Sequence, residues 1–145
     1  PLVVVLDNVR SAQNVGSFFR TGDAFAVERI ALCGITAVPP CRELHKTALG
    51  AEQSVAWTHH ASTVECIDEL RAAGYRVLAV EQVEGAAMLD ALAVDPQARY
   101  ALVFGNEVEG VFCGNSFAGF AQKRNFAGEK PPTRPERPRR IMSKY

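Results

Sequence analysis

The sequence predicts an α/β domain with a mostly parallel sheet and helices on both faces. Three observations carry that expectation. Leu2–Val5 and Tyr100–Phe104 are apolar runs without polar alternation, the pattern of strands covered on both sides. Helical patterns alternate with such strands along the chain, which is the signature of βαβ units. Polar, glycine-bearing stretches follow the first and the last strand, at the carboxyl ends where open α/β sheets bind ligands.

Taken in order, Pro1–Leu6 is the first strand. The polar run Asp7, Asn8, Arg10, Ser11, Gln13 and Asn14 leaves its end, and Val15, Phe18, Phe19 and Ala26 return at near-helical spacing. For Asn14 and Arg20 to reach one site, the helix has to begin near Asn14, with that residue in the loop or at the cap; Ser11 or Asn14 is the expected N-cap. Glu28–Leu32 is a second strand, closed by Cys33-Gly34. Pro39-Pro40 forbids a regular helix or a central strand after Ile35. Cys41–Leu49 is a short helix stopped by Gly50, and Ser54–Thr58 a third strand with Val55 and Trp57 facing one way. Ser62-Thr63-Val64-Glu65 fits a capping box for a helix through Ala73, and Gly74 supplies the left-handed stop. Arg76–Val80 is the fourth strand, Met88–Leu92 a helical turn closed by Asp95-Pro96, and Tyr100–Phe104 the fifth strand. No internal repeat shows.

With 145 residues, 48% of them hydrophobic and 22% charged, the chain has the composition of one globular domain around one core. No apolar run reaches the length of a membrane span and no leader pattern is visible, so a cytoplasmic setting is the expectation. A first residue of proline rather than methionine reads as a fragment of a longer chain. Cys33, Cys41, Cys66 and Cys113 form no C-x-x-C pair and read as free thiols. Cys41 with His45, and His59 with His60, lack the paired ligand spacing of a closed zinc site, so no metal is expected. The zero net charge conceals an asymmetry: eight basic against fourteen acidic residues up to Val111, then eight against two from Phe112 to Tyr145. An acidic body with a basic tail hints at nucleic-acid contact.

Two stretches concentrate the chemistry. In Leu6–Phe25, Asn14 and Arg20 are polar groups beyond what a plain turn needs, although singly a helix cap, a solvated arginine and a packing glycine at Gly16 would account for them. In Ala101–Val111, Gly105 permits close backbone approach, and Asn106, Glu107 and Glu109 supply acceptors before Gly110. A glycine-rich turn with solvated carboxylates is the bland alternative, stronger for Glu109 than for Glu107. Neither stretch carries a dinucleotide or P-loop fingerprint.

DNVRSAQNVGSFFRTGDAF, then KTALGAE at Lys46–Glu52, then LVFGNEVEGV, together resemble the SpoU (TrmH-type) branch of the SPOUT superfamily of RNA methyltransferases. The resemblance covers essentially Leu2–Val111. It implies a sheet ending in a deep trefoil knot whose loops bind S-adenosylmethionine, an exception to the rule that chains do not thread loops. It also implies a homodimer with active sites at the subunit interface, and methylation of a ribose 2′-hydroxyl in tRNA or rRNA. By position, Asn14 and Arg20 match the catalytic pair of the first motif and Glu107 the acid of the second. Phe104, Gly105, Asn106 and Gly110 fall in the cofactor pocket. A guanidinium stays protonated and is a poor base, so Arg20 is expected to orient ribose or phosphate and stabilise alkoxide charge, with Asn14 fixing its fork.

After Val111 the resemblance stops. No sheltered strand and no S-L-N-V-S-x-A motif follow, and Pro131, Pro132, Pro135 and Pro138 prevent a closing helix. Residues 1–111 are therefore read as the methyltransferase domain, and 112–145 as an aberrant, poorly ordered basic tail of the kind a shifted reading frame produces. Two functions follow from this division: an S-adenosylmethionine-dependent ribose methyltransferase, or a non-catalytic RNA-binding remnant of one.

Overall fold

The computed structural model describes residues 1–80 and 93–105. The helical turn expected at Met88–Leu92, the residues Asn106, Glu107, Gly110 and Cys113, the knot and the tail from 112 all lie outside the described residues.

The elements run β1 (Leu2–Asp7), α1 (Ala12–Ala24), β2 (Arg29–Cys33), α2 (Arg42–Ala48), a 3-10 turn (Ala51–Gln53), β3 (Trp57–His60), α3 (Thr63–Ala72), β4 (Tyr75–Val80) and β5 (Arg99–Phe104). The five strands form one sheet in the order β3-β2-β1-β5-β4, and each neighbouring pair is parallel. β1 is central. Its apolar run is buried on both faces because each face has a helical cover. Val4 and Leu6 join Ile30 and Leu32 beneath Val15 and Phe19 of α1 and Leu44 and Ala48 of α2. Val3 and Val5 join Ala31, Ala101 and Val103 beneath Cys66, Ile67 and Leu70 of α3. Phe19 is fully buried, and burial of a side chain that size contributes roughly 2–3 kcal/mol.

The order of strands has a consequence for function. The chain steps outward from β1 to β2 and β3, crosses to β4, and returns inward to β5, so β5 is laid against β1 from the other side. Leu6 lies opposite Phe104 in register. The stretches after β1 and after β5 therefore leave from neighbouring strands at the same rim, the arrangement that makes a ligand crevice in open parallel sheets.

Several boundaries move from the sequence expectation, each for a local reason. β3 begins at Trp57, not Ser54. Ser54 and Val55 follow the 3-10 turn and bond back onto it: both N–H groups donate to the Ala51 carbonyl, at 3.2 and 2.9 Å, and Ser54 Oγ reaches Asp23 Oδ1 at 2.8 Å. Val55 is buried while Trp57 is 36% exposed on the edge strand, so the two do not share a face. α2 ends at Ala48, two residues before Gly50, because Leu49 itself takes the left-handed cap (φ 55°). α3 follows its signals closely: Ser62 Oγ accepts from the Glu65 N–H and Gly74 has φ 85°.

Candidate functional site

The site builds from the end of β1. Asp7 is its last residue and is 1% exposed. A buried carboxyl group costs stability unless it is hydrogen-bonded. Its Oδ1 accepts from Thr63 Oγ1, at the first turn of α3, at 2.6 Å and from Asn8 Nδ2 at 2.8 Å. Asn8 adopts a left-handed φ of 53°, which asparagine tolerates better than other non-glycine residues. Its Oδ1 accepts from the Ile35 N–H at 3.2 Å, and its own N–H donates to the Cys33 carbonyl at 3.3 Å. Thr36 Oγ1 accepts from the Val9 N–H at 3.1 Å and lies 2.7 Å from the Cys33 carbonyl and 3.1 Å from that of Leu6. The strand-to-helix turn is thus tied on one side to the loop after β2 and on the other to α3.

Ser11 then caps α1, its Oγ accepting from the Asn14 N–H at 3.2 Å. This corrects the expected start near Asn14: the helix begins at Ala12, and Asn14 is the third helical residue rather than a loop or cap residue. Asn14 and Arg20 are both exposed. Six helical residues separate them by about 9 Å along the axis and about 120° around it. Asn14 lies one turn before Phe18 on one flank. Phe18 meets Phe104 with ring centroids 4.9 Å apart, so Asn14's flank faces the end of β5 and Gly105. Arg20 lies one turn beyond Gly16, whose flank faces α2. Arg20 has no hydrogen-bond or ion-pair partner among the described residues.

Gly16 is a packing glycine. A Cβ there would overlap Thr47 Oγ1 and the Leu44 carbonyl oxygen and sit 3.0 Å from the Ala48 nitrogen. The Lys46–Glu52 stretch supplies the other half of that contact. Thr47 Oγ1 donates to the Gln13 carbonyl at 2.9 Å, tying α2 to the first turn of α1. Lys46 bonds Glu43 at 2.7 Å and holds its carboxyl below the usual carboxylate range, and His45 does the same to Glu52 at 2.5 Å. This stretch braces α1 through Thr47.

Of the residues expected from sequence, the structure brings Asn14, Phe104 and Gly105 to one rim and sets Arg20 on the same helix but a different flank. Glu107, Asn106 and Gly110 lie outside the described residues. Sequence reasoning missed Asp7, Asn8, Thr36 and Thr63. The available signal was an Asp-Asn pair closing a strand with no other polar residue, where a buried acid demands partners. Cys33 and Cys66 are buried and Cys41 is half-buried. Hydrogen bonding with Cys66, then burial, push the Cys33 thiol well up, so it behaves as a packing group. Among the described residues no group of three or more His, Cys, Asp or Glu is placed to hold a metal ion, and no helix is long and apolar enough to cross a membrane.

The arrangement matches known proteins. The model of the SpoU rRNA Methylase family matches residues 1–112. A protein of Staphylococcus haemolyticus (strain JCSC1435) assigned to the TrmH family of tRNA/rRNA methyltransferases is 31% identical over 109 residues, 75% of this chain and 43% of that protein. The crystal structure of an AdoMet-bound rRNA methyltransferase from Sinorhizobium meliloti superposes with a TM-score of 0.69 at 30% identity, over 76% of this chain and 41% of that one. The SpoU methyltransferase AviRb from Streptomyces viridochromogenes, in complex with AdoMet, superposes with a TM-score of 0.62 at 25% identity, over 74% of this chain and 42% of that one. The chain thus spans less than half the length of these relatives. With the family model matched along the entire described sheet, the chain belongs to the SpoU rRNA methylase family.

Proposed function

We propose that this chain carries the methyl-transfer rim of an S-adenosylmethionine-dependent RNA 2′-O-methyltransferase acting on a ribose of tRNA or rRNA. The single observation that carries the reading is the register of Leu6 with Phe104, which sends the β1–α1 turn and Gly105 out of the sheet side by side. The residues there fit an adenosine-bearing methyl donor: Phe104 and Phe18 offer an apolar aromatic wall, and Gly105 leaves its backbone open to close approach. When bound, that donor supplies an electrophilic methyl group on sulfur. Phe104 and Gly105, with Asn106 and Gly110, would hold it.

The chain's own work is to place the ribose hydroxyl in line and manage the charge that develops when its proton leaves. Arg20, exposed and without a partner among the described residues, is suited to a phosphate or ribose oxygen and to the growing alkoxide. Asn14, on the flank toward Phe104, is suited to orienting the acceptor hydroxyl. The separation of the two around α1 favours distinct roles over a shared fork. Glu107 completes the set as the acid of the second motif. A homodimer, with sites shared between subunits, and a cytoplasmic setting belong to the same proposal; sedimentation velocity reads the first.

A second reading is favoured by the residues after Val111. They lack the third motif and carry eight basic against two acidic residues, which fits a non-catalytic RNA-binding remnant. Isothermal titration with S-adenosylmethionine, paired with transfer of a labelled methyl group to unmodified tRNA and rRNA, separates the two. Saturable binding and label on ribose support the enzyme. RNA binding without donor binding supports the remnant and overturns the enzyme.

A further inference from the structure

The left-handed Asn8 is the one residue in the β1–α1 turn whose side chain is held at both ends. Nδ2 donates to the buried Asp7 and Oδ1 accepts from Ile35. Gly34 is shaped around it: with φ 61°, a Cβ at Gly34 would overlap Asn8 Oδ1. Asp7 is in turn held by Thr63 at the start of α3, an orientation that also suits an acidic group near a helix N-terminus. The chain Thr63–Asp7–Asn8–Ile35 therefore joins the loop entering α1 to α3 on one face of the sheet and to the loop that follows β2. Only Val9, Arg10 and Ser11 separate it from α1, and Asn14 is in the first turn beyond.

We propose that Asp7 and Asn8 form a clip that presets the entry to α1, and that both are positioning residues for Asn14 at the methyl-transfer rim. Neither side chain touches substrate in this account. The clip fixes where the first turn of α1 starts relative to Gly105, and small displacements of a reacting geometry are costly in rate. The part of the inference that concerns turnover rests on the proposed methyl-transfer function; the part that concerns the order of the turn does not.

Two variants of the full chain test it. Asn8→Gly keeps a residue at ease with positive φ and removes both side-chain bonds. Thr63→Val keeps the shape at the start of α3 and removes one of the bonds to Asp7. Hydrogen exchange on the ligand-free proteins is expected to quicken about tenfold over residues 9–15 in Asn8→Gly, with β2 and α3 unchanged. In both variants kcat is expected to fall about tenfold or more while KM for S-adenosylmethionine stays within about threefold. Unchanged exchange over 9–15 in Asn8→Gly overturns the clip. Quickened exchange with an undiminished kcat overturns the positioning role. If the parent chain transfers no methyl group, the function reading fails by itself, the positioning role falls with it, and the exchange result still decides the clip.

Discussion

At the amino-terminal rim of the sheet, side chains bind one another. Tyr75 Oη donates to Glu28 at 2.6 Å, Arg99 donates to Tyr75 Oη and stacks 4.0 Å over its ring, and Arg76 bonds Asp95 at 3.0 Å beside Tyr100. At the carboxyl-terminal rim, Asn8 and Thr36 turn onto backbone groups of neighbouring loops, and Thr63, Asp7 and Asn8 are linked side chain to side chain beneath them. Closed pairs staple β4 and β5 to the start of β2 and leave little for a ligand. Polar groups used on loop backbone fix the shape of a rim. The difference separates a rim closed on itself from one whose loops are braced on backbone, and it supports placing the proposed chemistry at the second.

Four substitutions sharpen or break that contrast. The largest effect is expected at Gly16, which sets the seat of α1 on α2. Gly16→Ala should cost about 3 kcal/mol in urea unfolding, because the added methyl meets a backbone carbonyl rather than a flexible tip. An unchanged midpoint would mean that α1 is free to slide. Next is Arg20→Lys, which keeps the charge and loses the two-pronged fork. Methyl transfer should fall about 100-fold with the unfolding free energy unmoved within about 0.5 kcal/mol; near-normal turnover would remove Arg20 from the site.

At the opposite rim the pattern should invert. Tyr75→Phe is expected to lower stability by about 1–2 kcal/mol, seen in thermal unfolding, and leave donor binding untouched. Burial, then Glu28, push the Tyr75 hydroxyl up. Because its folded value exceeds the unfolded one, the stability it confers is present below roughly pH 10 and lost as pH rises through the higher folded value. The alkaline decline should therefore be shallower in Tyr75→Phe; an identical pH profile would contradict the staple. The smallest effect is expected at Lys46. Its pair with Glu43 is exposed on both sides, so Lys46→Ala should change stability by less than about 0.5 kcal/mol despite lying in a family motif.

Much of this was legible in the letters, and what was not has physical causes. The apolar runs Leu2–Val5 and Tyr100–Phe104 announced parallel strands because they alternate along the chain with helical patterns that can cover both faces of a sheet. Ser62 and Gly74 announced both ends of α3 because capping chemistry is local. Gly105 was singled out from its place after a strand, and Asn14 and Phe104 from the family motifs they match; strand pairing sets the end of β5 beside the end of β1, from which the turn into α1 leaves. Of the two caps the letters offered for α1, Ser11 is the one used; Ser11 and Asn14 are equally good by type, and only the strand-to-helix geometry chooses between them. β3 slid by three residues because Ser54 and Val55 read as strand by propensity while the 3-10 turn claims their hydrogen bonds. The Asp-Asn pair closing β1 signalled a need for partners, but that Thr63 is one was not legible, because it lies 56 residues away in sequence.

The central claim is that the methyl donor seats at the carboxyl rim, between the β1–α1 turn and the end of β5. Titrating S-adenosylmethionine into isotope-labelled protein and following backbone amide resonances tests it most directly. The account predicts saturable shifts at Phe104, Gly105 and Asn8–Val15, with Tyr75, Arg76 and Arg99 unmoved. Shifts centred on the amino-terminal rim, or none anywhere at saturating donor, would contradict it.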